Sequence, residues 1–369
     1  MDKAAAKVLR YGIIGAGSMG REHIENLKVM GGVVVSAISD PHEPSRAAAL
    51  QLAPDAQTFT NHNALLASGL VDVVVIATPN DTHAEILHDC LATEIAVFVE
   101  KPLATTIQDC KDILKWGNAR KAITWMGLEY RFMPPINEVL QRASAGEVGK
   151  IHHVSIREHR QPFYPKVDNW NRFTERTGGT LVEKCCHYFN LMDLVLGEHP
   201  TKIYASGAQD VNFLDEVYDG RQADMLDNAF VVLDYASGAR GMLDLCMFGE
   251  GSFEKEIFTV VGDKGKLESS LPSHEVRYSK RSDWGVASKW GDGGHGGSEV
   301  KTVLDLNVKY LGHHFGASYI EHVKFRDAIL NGTPAEVTLE DGVTSVAVGL
   351  AAHKSIESGR AVALSEILG

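Results

Sequence analysis

The sequence predicts an α/β doubly wound parallel sheet followed by an α+β half built on an open, mainly antiparallel sheet. Three observations carry this. From residue 8 to about 126, short apolar runs alternate with amphipathic segments, the signature of parallel strands wound with helices. After Arg131-Phe132-Met133-Pro134-Pro135 the pattern changes to strands separated by turn residues. The chain has 369 residues, 44% of them hydrophobic, enough for two cores. We read residues 1–130 as the first domain and 131–369 as the second, with the C-terminal helix free to pack back on the first.

The five clearest strands of the first half span residues 8–14, 33–38, 71–77, 95–99 and 122–126. They are rich in Val and Ile, as parallel strands covered on both faces require. Helices fill the gaps. Residues 83–91 put Ile86, Leu87, Cys90 and Leu91 on one stripe, and Ile107, Cys110 and Leu114 do the same in the next helix, so both cysteines are read as core. In the second half a helix over about 135–145 precedes strands at 151–160, 202–207, 229–235, 241–248 and 257–261. Turns at Ser237-Gly238 and at 262–265 make antiparallel neighbours, and such a sheet leaves one face for a partner subunit. Further helices are expected at about 179–196, 318–330 and 339–358, the last two stopped by Asn331-Gly332 and Gly359. The stretch 290–298 (WGDGGHGGS) is too glycine-rich for either element and reads as a mobile loop.

Charge and composition narrow the function. A net charge of −12 does not suit a generic nucleic-acid binder, and no apolar run is long enough for a membrane span. The first ten residues lack the apolar core of a secretory signal. Five cysteines, an odd number with no metal-type spacing, are read as reduced thiols in a cytoplasm.

Gly15-Ala16-Gly17-Ser18-Met19-Gly20 is a GxGxxG motif placed directly after the first strand and opening a helix. Asp40 follows at the end of the second strand. Together they predict a dinucleotide site of the Rossmann type. Gly15 permits the tight turn, Gly17 lets backbone N–H groups approach the pyrophosphate, and Gly20 allows helix to pack on strand. Asp40 would accept from ribose hydroxyls and repel a 2′-phosphate, favouring NAD over NADP; the competing reading is a capping Asp before Pro41. Ser18 and Met19 share the motif. Thr78, Pro79, Asn80 and His83 follow one strand end, and Glu100, Lys101 and Pro102 another. Carboxyl ends of parallel strands are where such folds bind ligands. Lys101 is the sharpest candidate, because an ammonium there can bind a hydroxyl and stabilise the alkoxide as hydride leaves.

In the second half, Glu183 and His187 fall in one expected helix at i,i+4 and so share a face. A carboxylate beside an imidazole suits a general base near neutral pH. A core histidine satisfied by its neighbour competes with this reading. A metal site would need a third ligand that no spacing supplies, so no metal is expected.

These residues carry a family resemblance. The chain resembles the Gfo/Idh/MocA oxidoreductases over nearly its whole length: the glycine motif, ATPNDTH from Ala77 to His83, EKP from Glu100 to Pro102, Gly178-Gly179 followed by His187, and the closing segment from Ala317 to Arg360. The resemblance implies NAD as cofactor, a sugar, inositol or glycoside as substrate, and homodimers or homotetramers through the second sheet. It also implies that Lys101 and His187 act on the substrate, His187 as base. Many inositol dehydrogenase relatives have Asp four residues before the histidine; here Glu183 reaches one methylene further. Tyr130, Arg131, Trp170, Asn171, Arg172 and His314, with His313, are candidates for lining a carbohydrate pocket. His152, His153 and His159 are assigned no catalysis. The expected reaction is hydride transfer from a CH–OH carbon to nicotinamide. Two alternatives stay open: elimination of a glycosidic bond through transient oxidation, and a non-catalytic NAD and sugar sensor.

Overall fold

The computed structural model describes residues 8–281 and 298–369; of the stretch 290–298, only Ser298 falls within them. The first sheet contains β1 (Leu9–Ile14), β2 (Val33–Ser39), β3 (Gln57–Phe59), β4 (Val73–Ile76), β5 (Ala96–Glu100) and β6 (Thr124–Gly127). All neighbours are parallel, in the order β3-β2-β1-β4-β5-β6. Every residue of β4 and β5 is buried, which explains their unbroken apolar runs. The crossovers are α1 (Ser18–Val29), α2 (Glu43–Leu52), α3 (His62–Ala67), α4 (His83–Leu91) and α5 (Ile107–Asn118). Thr106 caps α5 by accepting from the Asp109 amide. Cys90 and Cys110 are fully buried, and burial pushes both thiols up to about 12.

The second half begins with α6 (Pro134–Ser144) and β7 (Ile151–His159). The helix expected over 179–196 is broken at Lys184-Cys185. Four residues at 174–177 form α7 (Thr174–Thr177), and then α8 (Thr180–Glu183) and α9 (Cys186–Leu196) share the expected span. Gly179 precedes α8 with φ +87°, and a Cβ there would collide with the His353 ring. The strands that follow are β8 (Pro200–Ala208), β9 (Val217–Tyr218), β10 (Arg221–Gln222), β11 (Asn228–Tyr235), β12 (Arg240–Cys246), β13 (Glu256–Gly262), β14 (Gly265–Leu271), β15 (Glu275–Lys280) and β16 (Glu299–Thr302). The chain ends with α10 (Ala317–Asn331), α11 (Leu339–Ser358), β17 (Val362–Ala363) and α12 (Ser365–Leu368). Among the described residues, nine strands form the large sheet in the order β16-β15-β14-β13-β7-β12-β11-β8-β17. Among these strands β7 and β12 pair in parallel and the other neighbours are antiparallel, including the two expected hairpins, β11 with β12 and β13 with β14. Helices α6, α9 and α11 pack on one face. On the other, Tyr204, Val232 and Met242 stand exposed side by side on β8, β11 and β12, with Phe230 beside them.

The last helices tie the two halves together. α10 packs on the first sheet: Trp125 donates to Glu321 at 2.9 Å, His322 stacks on Phe98, and Phe325 packs against both Trp125 and Phe98. Truncating a side chain as buried as Phe325 to alanine costs about 3–5 kcal/mol. α11 starts with a capping box, Thr338 with Asp341, and sets Gly342 against Met126 and Leu103.

Candidate active site

The strand ends of the first sheet open onto a cavity of about 680 Å³, closed on its far side by the loop over residues 165–170 of the second half. Gly15, Gly17, Ser18 and Met19 line it, together with Asp40, Thr78, Pro79, Asn80, Glu100, Lys101 and Trp170. Gly15 has φ +93°, and a Cβ on Gly20 would collide with the Gly15 carbonyl oxygen, so this turn closes only with glycine at both positions. Among the described residues no side chain caps α1, which leaves its N-terminal amides available to meet phosphate. Asp40 accepts from the amides of Ala16 at 2.7 Å and His42 at 2.8 Å, which fixes its carboxylate at the cavity wall. Open amides, an anchored acid and this cavity fit a dinucleotide.

Not every residue expected at the cofactor lies against the cavity. His83 is fully buried, its Nδ1 2.8 Å from the Pro102 carbonyl and its Nε2 3.2 Å from that of Thr78, so its one N–H donates to one of the two. It ties two strand-end loops together instead of facing a ligand. Glu100 spends one oxygen on the Lys101 amide and pairs the other with buried His23 at 2.9 Å.

Lys101 crosses to the second half. Its Nζ donates to the Glu183 carbonyl at 2.8 Å and lies 3.4 Å from the Glu183 carboxylate. Asn80 donates to the other carboxylate oxygen and to the Thr177 carbonyl. Burial opposes the Lys101 charge, but Glu183, the Cys186 thiol, Glu100 and Glu129 outweigh it and raise its pKa above the ordinary lysine value.

The expected pairing of Glu183 with His187 is corrected. Because the helix breaks between them, Glu183 turns to Lys101 and Asn80, whereas the carboxylate beside His187 is Glu129, 3.7 Å from Nε2. Tyr130 stacks flat on the His187 ring at 4.0 Å, and its hydroxyl accepts from Lys184 at 2.6 Å. Lys184 also pairs with buried Glu158 at 3.0 Å. Burial holds His187 well below the ordinary imidazole range, and the charges of Lys101, Lys184, His314 and Arg131 act in the same direction. His187 is thus kept as the free base. His314 joins the group with Nδ1 3.3 Å from Glu129.

Among the expected carbohydrate-pocket residues, three are tied into the protein instead. Arg131 is buried against Asn190 and Asp341. Arg172 pairs with Glu216 at 2.7 Å and covers the Phe213 ring, and Asn171 donates to the Tyr164 carbonyl. A guanidinium in a polar loop reads as a ligand contact until a carboxylate distant in sequence claims it.

Glu129, Lys166 and Lys184 are the residues that sequence reasoning missed. Glu129 follows the end of β6, where the strand-end rule already pointed to its neighbours Tyr130 and Arg131. Lys166 reaches back over the glycine turn and donates to Ser18 at 2.9 Å, and burial lowers its pKa, with Lys101 and Arg21 adding to that effect. Among the described residues, no cluster of three His, Cys, Asp or Glu side chains is arranged to hold a metal, and no helix is long and apolar enough to cross a membrane.

Fold and site together define a two-domain, dinucleotide-dependent oxidoreductase. The chain belongs to the Gfo/Idh/MocA oxidoreductase family: residues 9–128 match its NAD-binding Rossmann fold and residues 142–364 its C-terminal alpha/beta domain. NAD is the cofactor of this fold. Among curated relatives, the myo-inositol 2-dehydrogenase of Thermotoga maritima is 27% identical over 98% of this chain and 100% of its own length. The inositol 2-dehydrogenase of Rhizobium meliloti is 26% identical over 97% and 99%. Among solved structures, a probable dehydrogenase from Thermotoga maritima superposes with a TM-score of 0.77 at 25% identity, covering 97% of this chain and all of that one. A levoglucosan dehydrogenase bound to NADH and levoglucosan shares the fold, with a TM-score of 0.84 at 19% identity over 96% and 99%.

Proposed function

We propose that this protein oxidises a secondary hydroxyl of an inositol, sugar or glycoside, with NAD preferred over NADP. The observation that supports the reading best is the crossing of Lys101 from the end of β5 to Glu183, which holds an ammonium in the cavity between the two halves. When bound, NAD supplies the hydride acceptor at its nicotinamide ring. The glycine turn and the α1 amides would hold its pyrophosphate, and Asp40 its adenosine ribose.

Lys101 donates to the substrate oxygen and stabilises the negative charge that grows there as the carbinol is oxidised. Such a positioned donor is worth about 10²–10³ in turnover. Neutral His187 takes the hydroxyl proton. Glu183 and Asn80 fix the direction of Lys101, and Trp170 offers an apolar face to a sugar ring. Asp40 supports the NAD preference, since a 2′-phosphate would meet its anchored carboxylate. The exposed apolar residues of β8, β11 and β12 support assembly of copies through the large sheet. Reduced thiols support a cytoplasmic site of action.

The test is hydride transfer to NAD and to NADP with a panel of inositols, sugars and glycosides. NADH formation that Lys101→Ala abolishes, with NAD affinity kept, is expected. Unchanged turnover in Lys101→Ala would defeat the assignment.

A further inference from the structure

His187 is 2% exposed, so a proton accepted by its ring has no direct way into water. An imidazolium there would also sit among Lys101, Lys184 and Arg131, which disfavour it in addition to burial. The proton has to move on. Glu129 emerges from β6 in a single turn of 3-10 helix, and its Oε1 lies between two imidazoles, 3.7 Å from His187 Nε2 and 3.3 Å from His314 Nδ1. Exposure climbs along that line, from 3% at Glu129 to 20% at His314. Tyr130 braces both rings, stacked on His187 and tilted against His314 at 5.6 Å. His187 Nδ1, Glu129 Oε2 and His314 Nδ1 make no hydrogen bond among the described residues. Three such buried polar atoms in one cluster are unusual.

We propose that Glu129 is a proton-relay residue, carrying the proton that His187 takes up to His314 and so to solvent; the relay rests on the alcohol oxidation proposed above. His187 gives the proton from Nε2 to the carboxylate at Glu129 Oε1, the same oxygen passes it to His314 Nδ1, and His314 releases a proton to water. One proton enters and one leaves, and each group recovers its starting charge. The electron pair takes no part, having left the carbinol carbon as hydride. Burial, Glu100 and Glu22 raise the Glu129 pKa well above the carboxylate range against the pull of Lys101, so its carboxylate takes up a proton readily at Oε1. His314 is pushed down to about 3 by burial and Lys184, with Lys101 and His313 acting the same way and Glu100 opposing, and it sheds a proton readily.

Glu129→Gln keeps the shape and cannot cycle a proton. Long-range 1H–15N spectra of the imidazoles, recorded without substrate, are expected to show His187 and His314 both changing tautomer or titration in this variant while His353 does not. With a substrate, turnover should fall about tenfold or more at unchanged NAD affinity, with a larger solvent deuterium isotope effect and partial recovery in Glu129→Asp. His314→Gln, at the exposed end, should reproduce the turnover loss should Glu129→Gln fail to fold. Unaltered His187 and His314 signals, or a rise in KM alone at wild-type kcat, would overturn the relay. An unaltered protein that oxidises no alcohol defeats the reaction reading instead; the spectra then decide alone, coupled imidazoles sustaining the relay and independent ones ending it.

Discussion

Lys101 Nζ is held by Glu183 through both of that residue's acceptors, the main-chain oxygen at 2.8 Å and the carboxylate at 3.4 Å. One residue of the second half thereby fixes both the position and the charge state of an amine from the first. Glu183→Gln keeps the main-chain contact and an acceptor for Asn80 but removes the negative charge. Because Glu183 raises the Lys101 pKa, its neutralisation lowers that pKa. The alkaline limb of kcat/KM, measured as NADH formation between pH 7 and 10.5, should therefore move to lower pH in the variant. A tenfold loss of turnover at neutral pH corresponds to about 1.4 kcal/mol of lost transition-state stabilisation.

Lys166 touches Ser18 from across the cavity, above the uncapped start of α1. An ammonium there would attract the phosphates that the glycine turn receives. Lys166→Met should weaken NAD and ADP-ribose by about tenfold each, on the scale of one charge-assisted contact, and leave adenosine unchanged. Quenching of tryptophan fluorescence measures all three. Equal weakening of adenosine would place the effect on the fold and not on the pyrophosphate.

Glu256 is half-buried beside Lys184, Glu158 and Arg160, and one of its oxygens makes no hydrogen bond among the described residues. Burial pushes its pKa up to about 7, against the opposing charge of Lys184. An acid raised in the folded state stabilises fully below its unfolded value of about 4.3 and loses that contribution as pH climbs through 7. Glu256→Gln escapes the loss. The variant should match the wild type near pH 4 and gain on it by roughly 3 kcal/mol by pH 8, read as a growing difference in Tm. A constant difference across that range would contradict the assignment.

What the sequence made legible is what local pattern determines. Strands such as Val73–Ile76 carry their burial in their composition, and α4 occupies the span 83–91 that its stripe marks. The glycine turn was legible because each glycine answers a steric demand. Gln57–Phe59 was not, being a short and largely exposed edge strand with no apolar alternation. Gly265–Leu271 was marked only by the turn before it, since its Lys, Glu and two Ser break the pattern that marks a strand. In the site, the i,i+4 rule failed for Glu183 and His187 because it presumes an unbroken helix. The true neighbour, Glu129, lies 58 residues earlier and becomes visible only when the halves meet. Arg131 and Arg172 were misread for the same reason, their partners Asp341 and Glu216 lying far along the chain.

The seating of α10 on the first sheet has a bearing on how the chain is made. Trp125 finds Glu321, and His23 finds His322 at 2.8 Å, nearly 200 and 300 residues downstream. A nascent polypeptide emerging from the ribosome can finish the nucleotide-binding half only after almost all of the other half has been synthesised. Until then Trp125 and Phe98 wait without the helix that covers them.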